Sequence, residues 1–168
     1  MTEQLKNILI GAALTLIINI IQSWVRKKLR LRTHWSVISG EIELCREKAA
    51  ALLNPDKVIG SPLYRLPTSA YETSFPVLLE NGALTGPQYL IVGRFFSLVQ
   101  EINRGLEYSA EANQSNNHVH LFHEFQRIKL KARNLIEREG IDPSLHEKAK
   151  GLVNEKLSNW WKPSLLWF

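Results

Sequence analysis

Nineteen consecutive residues without a charge, Asn7 to Val25, run directly into Arg26-Lys27-Lys28-Leu29-Arg30-Leu31-Arg32, and no architecture that ignores this junction can accommodate the chain. At a rise of about 1.5 Å per residue the run spans roughly 28 Å as a helix, close to the hydrocarbon thickness of a bilayer. Its centre is too apolar for a helix with one face in water. A cleaved signal peptide would need a basic start and a small-x-small cleavage site. Here only Lys6, offset by Glu3, precedes the run, and Gln22-Ser23-Trp24-Val25-Arg26 follows it. The expectation is an uncleaved transmembrane helix over 7–25.

Five cations in the seven residues after Val25, against one before Asn7, set the direction by the lysine/arginine loop bias. Residues 1–6 are expected outside and everything beyond the basic collar of residues 26–34 in the cytoplasm, with a bacterial inner membrane as the setting. Trp24 falls where an interfacial aromatic belongs. Arg26, Lys27, Lys28, Arg30 and Arg32 can reach lipid headgroups, so membrane lipids are expected partners.

The apolar run also carries a polar face. Gly11, Thr15, Asn19 and Gln22 are spaced four, four and three apart, which places them within about 80° on a helical wheel. Small residues allow close approach of helices in lipid, and amides there seek partners across helices. A passive tether needs neither, so this stripe is expected to bind other membrane-protein subunits or a second copy.

Net charge is +5, which suggests nucleic acid until the charge is located. Residues 33–168 hold fifteen Lys/Arg and fifteen Asp/Glu, so the excess belongs to the collar and no nucleic-acid partner is expected. The single cysteine, Cys45, cannot form an internal disulfide and lies on an apolar stripe, which reads as a buried structural thiol.

Beyond the collar the pattern is helical, and the fold class is all-α. A transmembrane helix is expected to precede a cytoplasmic bundle of about four helices over 35–162, with one long Pro/Gly-rich connection at 54–86. The first bundle helix is striped by Ile38, Ile42, Cys45, Ala49 and Leu52, with no proline separating it from the anchor. The second opens with a capping box at Thr85-Gly86-Pro87-Gln88 and buries Ile91, Phe95, Leu98, Ile102 and Leu106, with Gly93 allowing close packing. The third buries Leu121, Phe125, Ile128, Ala132 and Leu135. Asp142-Pro143 supplies N-cap and first residue of the fourth, which buries Leu145, Ala149, Leu152, Val153 and Leu157. Within 54–86 there is room for a short helix from Ser69 or Ser74, which Pro76 is expected to end. That connection displays Tyr64, Arg65, Tyr71 and Phe75, either as a protein-binding surface or as a cap on the bundle.

The closest approach to metal chemistry is His118, His120 and His123. His120 and His123 share a helical face, but two imidazoles make half a zinc site, so they are weak ligand candidates. No cofactor is expected. No nucleophile elbow or phosphate loop is present, which favours a non-catalytic protein. The last nine residues hold Trp160, Trp161, Trp167 and Phe168. Residues 163–168 read as an aromatic tail, intermolecular or interfacial, with packing on the bundle as the other possibility. The expected function is that of an accessory, assembly or scaffold subunit of a larger membrane complex. Self-association into a membrane effector is the alternative, and a metal-binding helical protein a more distant one.

Overall fold

A computed structural model describes residues 3–54, 65–114 and 118–162. They form five helices: α1 (Glu3–Leu53), α2 (Ser69–Glu80), α3 (Gly86–Gln114), α4 (His118–Ile136) and α5 (Leu145–Ser158). The anchor and the first bundle helix are one element, because neither proline nor a capping residue interrupts the backbone ladder between them. At 51 residues α1 is about 76 Å long. Thr15 and Thr33 satisfy their hydroxyls within the helix by donating to the carbonyls of Gly11 (2.9 Å) and Leu29 (3.1 Å). The first half of α1 is exposed on every side and is long and apolar enough to cross a membrane. From Trp35 onward one face is buried.

The other helices wrap that face. Ile38, Ile42, Cys45 and Ala49 are fully buried among residues of α2, α3, α4 and α5. α2 runs antiparallel to α1: its first turn lies at Glu41, Ser74 lies at His34, and Asn81 reaches Arg26 and Arg30. α3 turns back and packs on α4 and α5. α4 packs on the C-terminal half of α3, where Ile128 meets Gly105 and Lys131 pairs with Glu101 at 3.0 Å. α5 starts beside Glu43 and climbs back along α1 to the collar. Three helix ends therefore gather around residues 24–34: the end of α2, the start of α3 and the end of α5.

Several local expectations need correction. The short helix for which 54–86 has room does form from Ser69, as α2 over Ser69–Glu80, but it continues through Pro76 instead of ending there. Proline costs the helix one backbone bond, but Pro76 is exposed, while Phe75 and Leu78 beside it are buried in the core. Packing of that face outweighs the missing bond. The helix ends instead at Gly82, whose φ of 62° closes a Schellman turn: Ala83 N–H donates to Leu78 and Gly82 N–H to Leu79, both at 2.9 Å.

The N-cap of α5 is Ser144 rather than Asp142. Ser144 Oγ accepts from Glu147 N–H at 3.2 Å, and the Glu147 carboxylate accepts from Ser144 N–H at 2.9 Å. That box satisfies two otherwise orphaned donors. The stripe of α3 is broader than one face, because α4 and α5 both pack on it and α2 lays Tyr71 and Phe75 against Phe96 and Tyr89. Val92, Phe96 and Val99 are buried alongside Phe95, Ile102 and Leu106, which leaves Ile91 and Leu98 at the margin. Gly93 faces open space; the close approach is at Gly105, where an added Cβ would lie 2.7 Å from Ile128 Cγ1.

Candidate interaction site at the membrane-proximal end

The collar is where separate parts of the chain converge. Arg26, Lys27, Arg30 and Leu31 of α1 line an open cleft of about 380 Å³ with Asn81 at the end of α2. The Schellman turn occupies the last carbonyls of α2, and Asn81 Nδ2 donates to Val77 O at 2.8 Å. The cleft wall is thus three cations facing a capped helix end, a surface suited to anionic groups.

The chain returns to this level at its other extremity. Arg32 lies over the Trp160 ring at 4.9 Å, Lys28 Nζ donates to Lys162 O at 3.3 Å, and Lys28 also lies 5.7 Å from the Trp24 ring. Burial lowers the pKa of Lys156, and the nearby Lys28 charge lowers it further. Trp160 is half-buried by these contacts, whereas Trp161 is 59% exposed. Leu79, Tyr89 and Leu90 are exposed at the same end. Basic, aromatic and aliphatic groups from α1, α2, α3 and α5 thus share one level. Trp167 and Phe168 lie outside the described residues.

The polar stripe of α1 faces away from every other element. Thr15 has its partner within the helix, through Gly11 O. Asn19 and Gln22 make no side-chain hydrogen bond among the described residues, and nothing lies within 4 Å of a Cβ placed on Gly11.

The aromatic surface expected of the 54–86 connection is largely interior. Phe75 is buried, and half-buried Tyr71 stacks on Phe96 with ring centroids 4.2 Å apart. Burial raises the pKa of the Tyr71 phenol. Arg65 is exposed and pairs with Glu107; Tyr64 lies outside the described residues. The two aromatics fill the space between α2 and α3, meeting Phe96 and Tyr89.

His120 and His123 are both exposed, and the His123 ring meets Phe122 edge-on. Among the described residues no three His, Cys, Asp or Glu side chains converge as a metal site. Cys45 is fully buried, donates to Pro67 O at 3.3 Å, and has its thiol pushed up to about 12 by burial and by nearby Glu41. A thiol so protonated is a poor nucleophile.

Sequence reasoning missed three polar devices that hold the bundle together. Glu41 accepts from the N–H groups of Ala70 (2.8 Å) and Tyr71 (2.6 Å), so α1 caps α2. Asn103 accepts from Leu66 N–H and donates to Leu66 O, both at 2.8 Å. Glu43 is held by Arg46 and Lys150 beside buried His146, and its pKa is lowered chiefly by the Lys150 contact. Each joins residues far apart in sequence, so no local spacing announces them. No family model, curated protein or solved structure matches this chain.

Proposed function

We propose that this chain is a non-catalytic, single-pass membrane subunit that assembles or scaffolds a larger complex. Its α1 carries a partner-binding face inside the bilayer, and its helical bundle presents further surface at the cytoplasmic side. The basic collar orients the protein, with the short N-terminus outside and the bundle in the cytoplasm of a bacterial inner membrane.

The observation that carries this reading is the continuity of α1. A tether joins its cargo through a flexible segment, whereas here a single helix passes from the apolar half into the packed core without a break. Contacts of Arg32 with Trp160 and Lys28 with Lys162 brace the bundle against the collar. A partner gripping the first half of α1, whether another membrane-protein subunit or a second copy, would thereby fix the bundle's height and bearing, which is what an assembly subunit must do.

Purification of the full chain from native membranes in mild detergent, followed by mass measurement, tests the reading. Stoichiometric foreign subunits are expected. A chain that emerges alone or only with its own copies overturns the accessory role in favour of a self-associating membrane effector. The uncovered face of α1 favours that second reading.

A further inference from the structure

The polar stripe of the anchor does not stop at the collar. Taking about 100° per residue along the unbroken α1, Gly11, Thr15, Asn19 and Gln22 fall within an arc of about 80°. Continuing the same count, Thr33, Val37, Gly40, Leu44 and Ala51 fall within that arc again. All five are exposed, Val37 at 48% and Leu44 at 50%. The buried residues Ile38, Ile42, Cys45 and Ala49 centre about 140° away, on the opposite side of the helix. The bundle therefore packs on one side of α1 and leaves a strip from Gly11 to Ala51 exposed, which at Arg26 borders the cleft shared with Asn81.

We propose that this strip is a self-association seam, along which α1 pairs in parallel with α1 of a second copy. The inference rests on the first half of α1 spanning a membrane, because two copies inserted the same way must then run parallel.

Four observations single out a second copy as the occupant. An asparagine amide both donates and accepts, so Asn19 on a two-fold axis satisfies itself against Asn19 of the other copy, and it has no hydrogen bond here among the described residues. Gly11 and Gly40 share the strip, and nothing in the chain lies within 4 Å of a Cβ at either. Glycine costs a helix about 1 kcal/mol relative to alanine, and close approach of a second backbone supplies the missing reason at both.

Val37 and Leu44, seven residues apart, form an apolar seam on the water side that matches itself across the same axis. Finally, a strip about 10 Å wide over the roughly 60 Å from Gly11 to Ala51 would cover about 600 Å² per copy, at the lower end of the ~600–1,000 Å² per partner of specific stable interfaces. By the same count Arg26 and exposed Glu47 fall within the arc and Arg30 borders it, and the Glu47 carboxylate lies at the arc's edge where it can turn to water. At headgroup depth the long arginine side chains can splay toward lipid phosphates and away from the other copy.

Single cysteines introduced into full-length Cys45→Ala protein, oxidised in native membranes, test the seam. Val37→Cys, Gly40→Cys and Leu44→Cys are expected to form disulfide-linked homodimers. Ala50→Cys, exposed elsewhere on α1, and Phe122→Cys on α4 are expected to remain monomeric. Gly40→Leu should weaken dimerisation by about tenfold or more without lowering the bundle's melting temperature, since its site is open in the single chain. Asn19→Leu should weaken it by roughly three- to thirtyfold.

Equal cross-linking on and off the strip, none anywhere, or linkage of the same positions to a foreign protein overturns the proposal. Extraction of the chain by alkaline carbonate overturns the membrane reading along with it. A carbonate-resistant chain without strip-specific homodimers overturns the seam alone.

Discussion

The guanidinium of Arg32 lies 4.9 Å over the ring of Trp160, joining the collar to the turn that follows α5. The pair spans most of the chain and closes the bundle at the collar. Cation–π contacts of this kind contribute about 0.5–2 kcal/mol, depending on how far the cation is desolvated. Arg32→Ala or Trp160→Ala should therefore leave the bundle folded but speed amide exchange through 154–162, with little effect in α3 or α4. Unchanged exchange at this end in both variants would show that the stack holds nothing in place.

Asn103 does the work of a backbone partner for Leu66, satisfying both its N–H and its C=O in a buried site. Asn103→Leu would leave two backbone groups unpaired in the interior, at about 1–3 kcal/mol each. A loss of about 2–6 kcal/mol in denaturant unfolding of the detergent-solubilised chain is expected. Asn103→Asp retains the acceptor for Leu66 N–H but removes the donor for Leu66 O, so it should not restore stability.

These two pairs show what local spacing can and cannot reveal. The stripes of α1 and α4 are legible because each helix buries a single face, and Ile38, Ile42, Leu121, Phe125 and Ile128 follow a helical period. α3 lies between neighbours on two sides, so a one-face pattern names only part of its core. α2 defeats a local rule, since Pro76 stops a helix only when tertiary packing does not compensate. Tyr71 and Phe75 look like surface residues because prolines and glycines surround them, yet α3 supplies Phe96 and Tyr89 for their rings to meet. The junction at Val25-Arg26 is legible because composition alone marks it. The return of Trp160 to that junction depends on helix lengths and directions that no single segment encodes.

Two glycines of α3 should respond to alanine in opposite senses. Gly93 faces open space, so Gly93→Ala adds helix propensity and should stabilise by about 0.5–1 kcal/mol. At Gly105 the new methyl would lie 2.7 Å from Ile128 Cγ1, inside a helix pair with no slack. Overpacking there costs about 1–3 kcal/mol, more than the propensity gain. Gly105→Ala should thus melt lower than the parent, and adding Ile128→Val should recover part of the loss. Equal shifts for the two glycines in thermal unfolding would contradict this assignment of the close α3–α4 contact.

His146 gives the α1–α5 contact a pH dependence whose sign can be derived. It is 5% exposed, its Nε2 lies 3.5 Å from Glu43 Oε1, and Lys150 and Arg46 pair with the same carboxylate. Burial disfavours the imidazolium more than Glu43 favours it, so the folded pKa lies below the ordinary 6.5. On acidification the unfolded chain takes up this proton first, which draws the equilibrium toward unfolding from about pH 6.5 down to the folded pKa. The lowered pKa of Glu43 acts only below its ordinary 4.5, so it does not oppose the effect between about pH 7.5 and about pH 5. Melting temperature should therefore fall across that range, and His146→Gln, which cannot titrate, should flatten the dependence. A parent profile that is flat, or that rises toward pH 5, would mean that the buried imidazole is protonated in the folded bundle and that Glu43 outweighs burial.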